Sequence, residues 1–227
     1  DHTRINLEAT RSLLRAARDA GIRRIVFVST IAAGFPEVER YPYAAAKRAA
    51  EESVRASALA WTILRPTIVL GPASGIGPVL VRHAQRARTP IFGDGRVRVQ
   101  PIAAGDVARL ITEALRDEST VRETLELGGP DVLTFGELLA RLRGALGRVP
   151  DRFVHLPLRP ALALAWSLER RIGPRLPVLA GQLYAFRYDS TARRSSFLDA
   201  RMARLARVDA LIAELARACG TEANSRG

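Results

Sequence analysis

The sequence predicts an α/β protein with a doubly wound parallel sheet that is incomplete at its N-terminal side, followed by a small C-terminal α/β region. Amphipathic segments of helical periodicity alternate with short apolar runs rich in β-branched residues, in the order helix, strand, helix, strand over the first 70 residues. Such runs are typical of strands buried on both faces of a parallel sheet, with right-handed crossovers between them. A chain of 227 residues with 48% hydrophobic content can fill the core of this fold.

The first four elements follow from local patterns. Apolar residues at helical spacing predict a helix over residues 6–20, which ends at Gly21 because glycine favours the position after a helix. Residues 24–29 predict a strand. A helix is expected over residues 42–57, with proline in its first turn. Residues 61–70 form a second apolar run and predict another buried strand.

The remaining elements are shorter, and several begin at a capping residue. We predict a helix over 79–87, an extended segment over 90–102 with a turn at Gly93-Asp94-Gly95, a helix capped by Asp106 and ending near 116, a strand at 123–127, a helix over 135–146 capped by Thr134, a strand at 153–156 and an amphipathic helix over 201–217. We divide the chain into residues 1–72, which belong to the sheet domain, and residues 73–227, of which 103–128 return to the sheet core.

Lys47 is the only lysine among the 35 basic residues, and it follows Tyr43 by four positions. Random placement would put one lysine four residues after a tyrosine in about 2% of cases. On a helix the two side chains face the same cleft and can act as an acid/base pair, in which the ammonium is expected to lower the pKa of the phenol. The alternative is a solvated tyrosine and lysine on a surface helix.

Ser29 and Thr30 end the first predicted strand. Ligands of open α/β sheets bind at the carboxyl ends of the strands, so either hydroxyl could hold a substrate oxygen beside Tyr43. Serine and threonine also end strands for turn reasons alone, which is the alternative here.

These residues stand in an order that resembles extended and atypical short-chain dehydrogenases, the epimerase/dehydratase-like group. Within it, the chain is most similar to the atypical branch that includes the dehydrogenase-like accessory subunit of respiratory complex I. The matching segments are Asn6-Leu7-Glu8-Ala9-Thr10, residues 16–24, Val26-Phe27-Val28-Ser29-Thr30, residues 43–47, Leu64-Arg65-Pro66, Gln100-Pro101-Ile102, Gly105-Asp106-Val107-Ala108 and Leu127-Gly128-Gly129-Pro130.

The resemblance implies a Rossmann-like domain that binds NAD or NADP and an oxidoreductase or epimerase that transfers hydride with a Tyr/Lys proton relay. It implies that Tyr43 and Lys47 are catalytic and contact the nicotinamide ribose, that Ser29 or Thr30 assists, and that Asn6 supports the relay. It also implies a nicotinamide pocket formed by Pro66, Thr67, Ile68 and Val69. Helix capping is the alternative for Asn6, and capping alone explains Asp106. The competing hypothesis is a non-catalytic NAD(P)H-binding scaffold or accessory protein.

The chain departs from the family at its start, where no strand and Gly-rich turn for the pyrophosphate occur. The glycines of residues 71–77 have the wrong spacing for that role. We therefore expect that the chain is truncated. If it truly starts here, we expect open sheet edges, weak or no dinucleotide binding, and reduced or no activity.

The composition of the chain helps to decide between the remaining classes of function. The net charge of +12 would attract nucleic acid, but the arginines are scattered and aromatic residues make up only 6% of the chain, which disfavours that interpretation. Cys219 is the only cysteine, so we predict no internal disulfide and a cytoplasmic location. No apolar stretch reaches the roughly 20 residues of a membrane span. The expected partners are a small-molecule substrate of unknown identity and a protein or peripheral membrane surface for the Arg-rich C-terminal helices.

Overall fold

The computed structural model describes residues 7–172 and 183–224, which contain parallel and antiparallel strands and flanking helices. The strands are β1 (Arg24–Val28), β2 (Ala60–Pro66), β3 (Val69–Leu70), β4 (Thr89–Phe92), β5 (Arg98–Val99), β6 (Ile102–Ala103), β7 (Glu123–Leu127), β8 (Leu133–Thr134) and β9 (Phe153–Leu156). The α-helices are α1 (Ala9–Asp19), α2 (Pro42–Arg55), α3 (Gly77–Ala84), α4 (Ala104–Arg116), α5 (Phe135–Ala145), α6 (Leu158–Ile172), α7 (Ser196–Asp199) and α8 (Val208–Asn224). The predicted α/β class is confirmed.

The central sheet has the strand order β1-β2-β7, and both pairings are parallel. Side chains alternate between its faces. Trp61 and Ile63 pack beneath α1 and α2, together with Val54 of α2. Leu64 and Leu125 pack on the opposite face against α4. Helices on both faces make the sheet doubly wound, as predicted.

The predicted strand at 61–70 is in fact two strands that belong to different sheets. β2 ends at Pro66, whose ring removes a backbone donor, and β3 pairs in parallel with β6. Between them, the Thr67 backbone N–H still donates to Leu127 O at 2.9 Å, while the Thr67 hydroxyl donates to Gln100 O. The chain therefore leaves the central sheet at its carboxyl edge.

The C-terminal region is built on two further strand pairs and a helical core. β4 and β9 are parallel, and β5 and β8 are antiparallel. Gly93 and Gly95 adopt positive φ angles of 84° and 73°, as the predicted turn requires, but β4 and β5 pair with other strands. Helices α3, α5 and α8 enclose a leucine-rich core. Within the described ranges, no helix is long and apolar enough to cross a membrane.

Two predicted features of the C-terminal region, residues 73–227, were wrong. Asp106 lies in the first turn of α4 but does not cap it: its carboxylate accepts a hydrogen bond from Ala206 N at 2.8 Å and binds Arg109. The helix predicted from residue 201 begins only at Val208. A 3₁₀ turn at Met202–Arg204 precedes it, and Asp131 accepts from Val208 N at 2.8 Å. Both carboxylates fasten the C-terminal segment to earlier parts of the chain.

The predicted cap at Thr134 is confirmed as a capping box. Thr134 Oγ1 accepts from Glu137 N at 3.1 Å, and the Glu137 carboxylate accepts from Thr134 N at 2.7 Å. We expect Thr134→Ala to lower the free energy of unfolding by about 1 kcal/mol, because the Glu137 backbone N–H loses its acceptor in the first turn of α5. Urea unfolding measures the loss, and Thr134→Ser should retain most of the stability. Equal stability of the alanine and serine variants would contradict the prediction.

Candidate functional site

Four of the predicted site residues, Ser29, Thr30, Tyr43 and Lys47, lie at the carboxyl edge of the central sheet. Ser29 and Thr30 follow β1 directly, and Val28 of β1 is opposite Leu64 of β2. The loop after β1 leads into α2, which carries Tyr43 and Lys47 in its first two turns. This edge is where ligands bind in open parallel sheets.

Lys47 is fixed at the end of β1. Its Nζ donates to the Val28 carbonyl oxygen at 3.0 Å and lies 5.1 Å from the centre of the Phe27 ring. Burial lowers the pKa of Lys47, and the negative charge of Glu51 partly opposes this shift. The ammonium is thus held by one carbonyl, which leaves donors for a ligand.

Tyr43 lies one turn before Lys47 and is half-buried, with its ring 5.9 Å from that of Tyr41. Burial raises the pKa of Tyr43, and burial together with Tyr43 raises the pKa of Tyr41 to about 12. The expected lowering of the Tyr43 pKa by Lys47 is therefore wrong for the protein by itself, because burial removes the hydration that a phenolate needs. Both phenols are protonated at neutral pH.

The two hydroxyls after β1 have different environments. Thr30 Oγ1 accepts from Ala32 N at 3.4 Å and caps the 3₁₀ turn Ile31–Gly34, which is the turn role considered for it. Ser29 is buried, and its Oγ has no hydrogen bond of normal geometry, although it lies near enough to Glu51 to lower the pKa of that carboxyl. A buried hydroxyl in this state has capacity to bind a ligand.

Residues 66–69, from the last position of β2 to the first position of β3, form a partly exposed surface beside this edge. Pro66 and Thr67 are buried, whereas Ile68 and Val69 are partly exposed. Ile68 O accepts from Ile102 N at 3.0 Å, which holds the segment in place. With the Thr67 hydroxyl occupied by Gln100 O, what remains is apolar surface, which suits the face of a nicotinamide ring.

Two other positions were considered from the sequence. Asn6 lies outside the described residues. The glycine-rich loop at residues 71–77 closes on itself: Ser74 Oγ donates to Gly71 O at 2.8 Å and accepts from Gly77 N at 3.0 Å. This internal bonding is typical of a turn and not of a phosphate cradle.

Glu51 is a site residue that the sequence analysis missed. Its carboxylate is fully buried and accepts from Arg65 through Nε at 2.9 Å and Nη2 at 2.6 Å, and from Arg55 at 2.9 Å. Burial by itself would raise the pKa of Glu51, but the hydrogen bonds from Arg65, the nearby Ser29 hydroxyl and the two guanidinium charges lower it overall. The sequence did contain a pattern that could have predicted this residue: Tyr43, Lys47 and Glu51 are each four residues from the next and so share one face of a helix.

Glu37 in the loop between β1 and α2 was also missed. It has a left-handed φ of 50°, which is uncommon for a residue with a side chain. Its carboxylate accepts from Tyr184 OH at 2.5 Å and pairs with Arg40 at 3.2 Å. The hydrogen bond from Tyr184 lowers the pKa of Glu37 despite some opposing desolvation. This cluster fastens residues 183–188 to the loop that precedes Tyr43.

β1 is an edge strand of the central sheet within the described residues. All five of its residues are only partly buried, whereas β2 is buried at five of its seven positions. In the part of the chain that the structure describes, one backbone edge of β1 has no strand beside it.

The chain matches a family model described as NAD(P)H-binding over residues 1–118. It is 35% identical over 159 residues to subunit 9 of the NADH dehydrogenase [ubiquinone] 1 alpha subcomplex of Arabidopsis thaliana mitochondria, covering 69% of this chain and 39% of that protein. It is 30% identical over 176 residues to the divinyl chlorophyllide a 8-vinyl-reductase of Zea mays, covering 74% and 42%. A ceramide reductase of Caulobacter vibrioides is 32% identical over 72% of this chain and 52% of its own length. The chain thus spans about half or less of these relatives.

Solved structures show the same fold. A dTDP-glucose 4,6-dehydratase from Streptomyces venezuelae with bound NAD is 25% identical, with a TM-score of 0.60 over 82% of this chain and 66% of that one. A short-chain dehydrogenase/reductase superfamily protein from Agrobacterium tumefaciens with bound NAD is 19% identical, with a TM-score of 0.63 over 98% and 74%. The similarity to the second structure supports the fold alone.

Proposed function

We propose that this chain, which belongs to the NAD(P)H-binding family, holds the nicotinamide end of the dinucleotide and reduces or epimerises a small substrate through a Tyr43/Lys47 proton relay. Family membership follows from the match over more than half of the chain and agrees with the predicted extended or atypical short-chain dehydrogenase. The observation that carries the proposal is the ammonium of Lys47, fixed at the carboxyl end of β1 one turn from a half-buried phenol.

The residues at the sheet edge fit the nicotinamide and its ribose. Lys47 and Ser29 offer polar groups that the protein itself does not fully use, and Ile68 and Val69 offer apolar surface. A bound dinucleotide would supply or accept the hydride. We propose that the adenosine end requires a further βαβ unit whose strand pairs with the free edge of β1.

Tyr43 holds the proton that the reaction needs. Because burial raises the pKa of its phenol, Tyr43 is protonated at neutral pH and can donate to an oxygen of the substrate. The phenolate left behind would be stabilised by the Lys47 ammonium on the same face of α2. This protonation state favours the direction in which a carbonyl or an activated alkene is reduced.

Titration of NADH and NADPH by nicotinamide fluorescence tests the proposal. We expect Lys47→Gln to weaken binding about tenfold or more, because charge-assisted hydrogen bonds to the ribose are lost. Glu52→Gln is the matched control, since Glu52 is exposed on the same helix. A chain extended upstream by a βαβ unit should bind more tightly than residues 1–227. Lack of binding by both chains would overturn the proposal.

A second candidate is a non-catalytic scaffold that binds the dinucleotide for stability and docks a protein or membrane surface. The 35% identity to a complex I subunit of A. thaliana supports it. A cytoplasmic location also stays a prediction. The two candidates differ in whether the Tyr43 hydroxyl is needed.

A further inference from the structure

We propose that Glu51 is a positioning residue that keeps the Lys47 side chain in its charged form and joins it to the end of β2 through Arg65. Glu51 follows Lys47 by one helical turn on the buried face of α2. Its carboxylate binds the Arg65 guanidinium through two hydrogen bonds of 2.9 and 2.6 Å. The catalytic benefit of this arrangement rests on the proposed function. The effect of Glu51 on the charge of Lys47 does not, because that charge is measurable without cofactor or substrate.

The surroundings of Lys47 explain why such a residue is needed. The elements packed around it place an aromatic ring at Phe27 and a neutral carbonyl at Val28 of β1, and Tyr43 on its own helix. These groups stabilise an ammonium less than water does. Glu51 supplies a negative charge that opposes the loss, and the Arg65 and Arg55 guanidinium groups that bind the same carboxylate offset part of that charge. A lysine that became neutral could no longer stabilise a phenolate.

The location of Glu51 argues against a purely structural ion pair. Burying a carboxylate is expensive, and a buried ion pair is often no more stabilising than apolar residues of the same size. Ala50 and Val54 occupy neighbouring positions on the buried face of α2 with apolar side chains. Apolar residues at both 51 and 65 would therefore suit the core as well as this ion pair does, whereas a carboxylate at 51 also acts on the ammonium one turn away.

Arg65 connects Glu51, and therefore α2, to strand β2. It precedes Pro66 in β2 and is mostly buried, with 12% of its side chain exposed. Hydrogen bonding and the charge of Glu51 raise the pKa of Arg65 despite burial, so the guanidinium is a permanent partner. Glu51 thereby links the helix that carries Tyr43 and Lys47 to the strand that leads into residues 66–69. Both sides of the proposed nicotinamide site depend on one carboxylate.

The single lysine allows a direct test. Protein labelled with ¹³C-lysine gives one lysine ε-carbon NMR signal, which belongs to Lys47, so no resonance assignment is needed. The chemical shift of this signal, followed as a function of pH, gives the titration midpoint of the lysine. We expect the midpoint to fall in Glu51→Gln and to be unchanged in Glu52→Gln, whose side chain is exposed on the same helix. Glu51→Asp keeps the charge and should restore the midpoint toward that of the unchanged protein.

The direction of the shift separates this role from structural damage. Because burial lowers the pKa of Lys47, a loosened structure would move the midpoint upward, toward that of free lysine. An unchanged or raised midpoint in a folded Glu51→Gln variant would overturn the proposal. If that variant fails to fold, Glu51→Gln is combined with Arg65→Gln, and the midpoint of this double variant should lie below that of Arg65→Gln alone, because the two differ only in the charge at position 51.

A functional readout distinguishes failure of this inference from failure of the proposed function. In NADH titrations, binding by Glu51→Gln should weaken more steeply with rising pH than binding by Glu52→Gln. If both variants bind NADH with the same pH dependence, Glu51 does not act on Lys47 but the proposed function stands. If the unchanged protein and its extended form bind no NADH, the proposed function fails, while the lysine titration still tests the role of Glu51.

Discussion

Tyr43→Phe is expected to lower turnover about 100- to 10,000-fold, the usual contribution of a positioned acid or base, while NAD(P)H affinity changes by less than about twofold. Only one oxygen is removed, and the ring still packs near Tyr41. Without the phenol proton, the charge that develops on the substrate oxygen has no donor beside it. The measurement is steady-state oxidation of NAD(P)H with a carbonyl or enone substrate found by screening the extended chain.

Tyr41→Phe is the matched control for this change. Tyr41 lies two residues earlier, and its ring packs in the same aromatic surroundings. Its removal should leave turnover within a few-fold of the unchanged protein, since its hydroxyl has no proposed role. Full turnover of Tyr43→Phe would favour the scaffold hypothesis, and equal losses in both variants would point to a packing effect.

Arg143→Ala is expected to lower the free energy of unfolding by about 4 kcal/mol. The Arg143 side chain on α5 is almost completely buried. It donates to Val149 O at 2.7 Å, to Ala84 O and Arg86 O at 2.8 Å, and to Thr89 Oγ1 at 2.6 Å. Alanine would leave these buried acceptors without donors and a cavity beside them.

Arg141→Ala measures what an ordinary arginine of the same helix contributes. Arg141 is exposed and pairs at 3.0 Å with Asp209, which is also exposed, so its loss should cost less than about 1 kcal/mol. Urea unfolding of both variants gives the comparison. Arg143→Lys should be intermediate, because lysine keeps the charge with fewer donors. A loss at Arg143 no greater than that at Arg141 would contradict the structural role.

The elements that sequence predicted well are those encoded by local periodicity. The spacing of Tyr43 and Lys47 places both on one face of α2, and the glycine at 21 adopts the left-handed φ of 71° that a helix end favours. The capping box at Thr134 is equally local. In each case the residues that decide the structure lie within a few positions of one another, so a single segment contains the whole signal.

The features that sequence reasoning missed depend on distant contacts. In the sequence, Glu51 is one of several charged residues on an amphipathic helix. Only the folded structure shows that it is buried and paired with Arg65 of the next strand. Asp106 resembles a helix cap, yet its partner Ala206 N lies 100 residues away. The break after Pro66 is likewise set by pairing of β3 with β6. Periodicity cannot show which distant backbone group will complete a hydrogen bond.

The exit of the chain from the central sheet after Pro66 has an evolutionary consequence. The sheet is assembled from β1, β2 and β7, so residues 67–103 contribute no strand to it. That segment behaves as an insertion whose loops can lengthen or diverge without changing the β1-β2-β7 register. Selection could thus alter the surfaces around the sheet edge piecemeal while Tyr43, Lys47 and Glu51 stay in place. If the proposed function holds, changes in this segment would alter substrate binding while the proposed acid/base residues keep their positions.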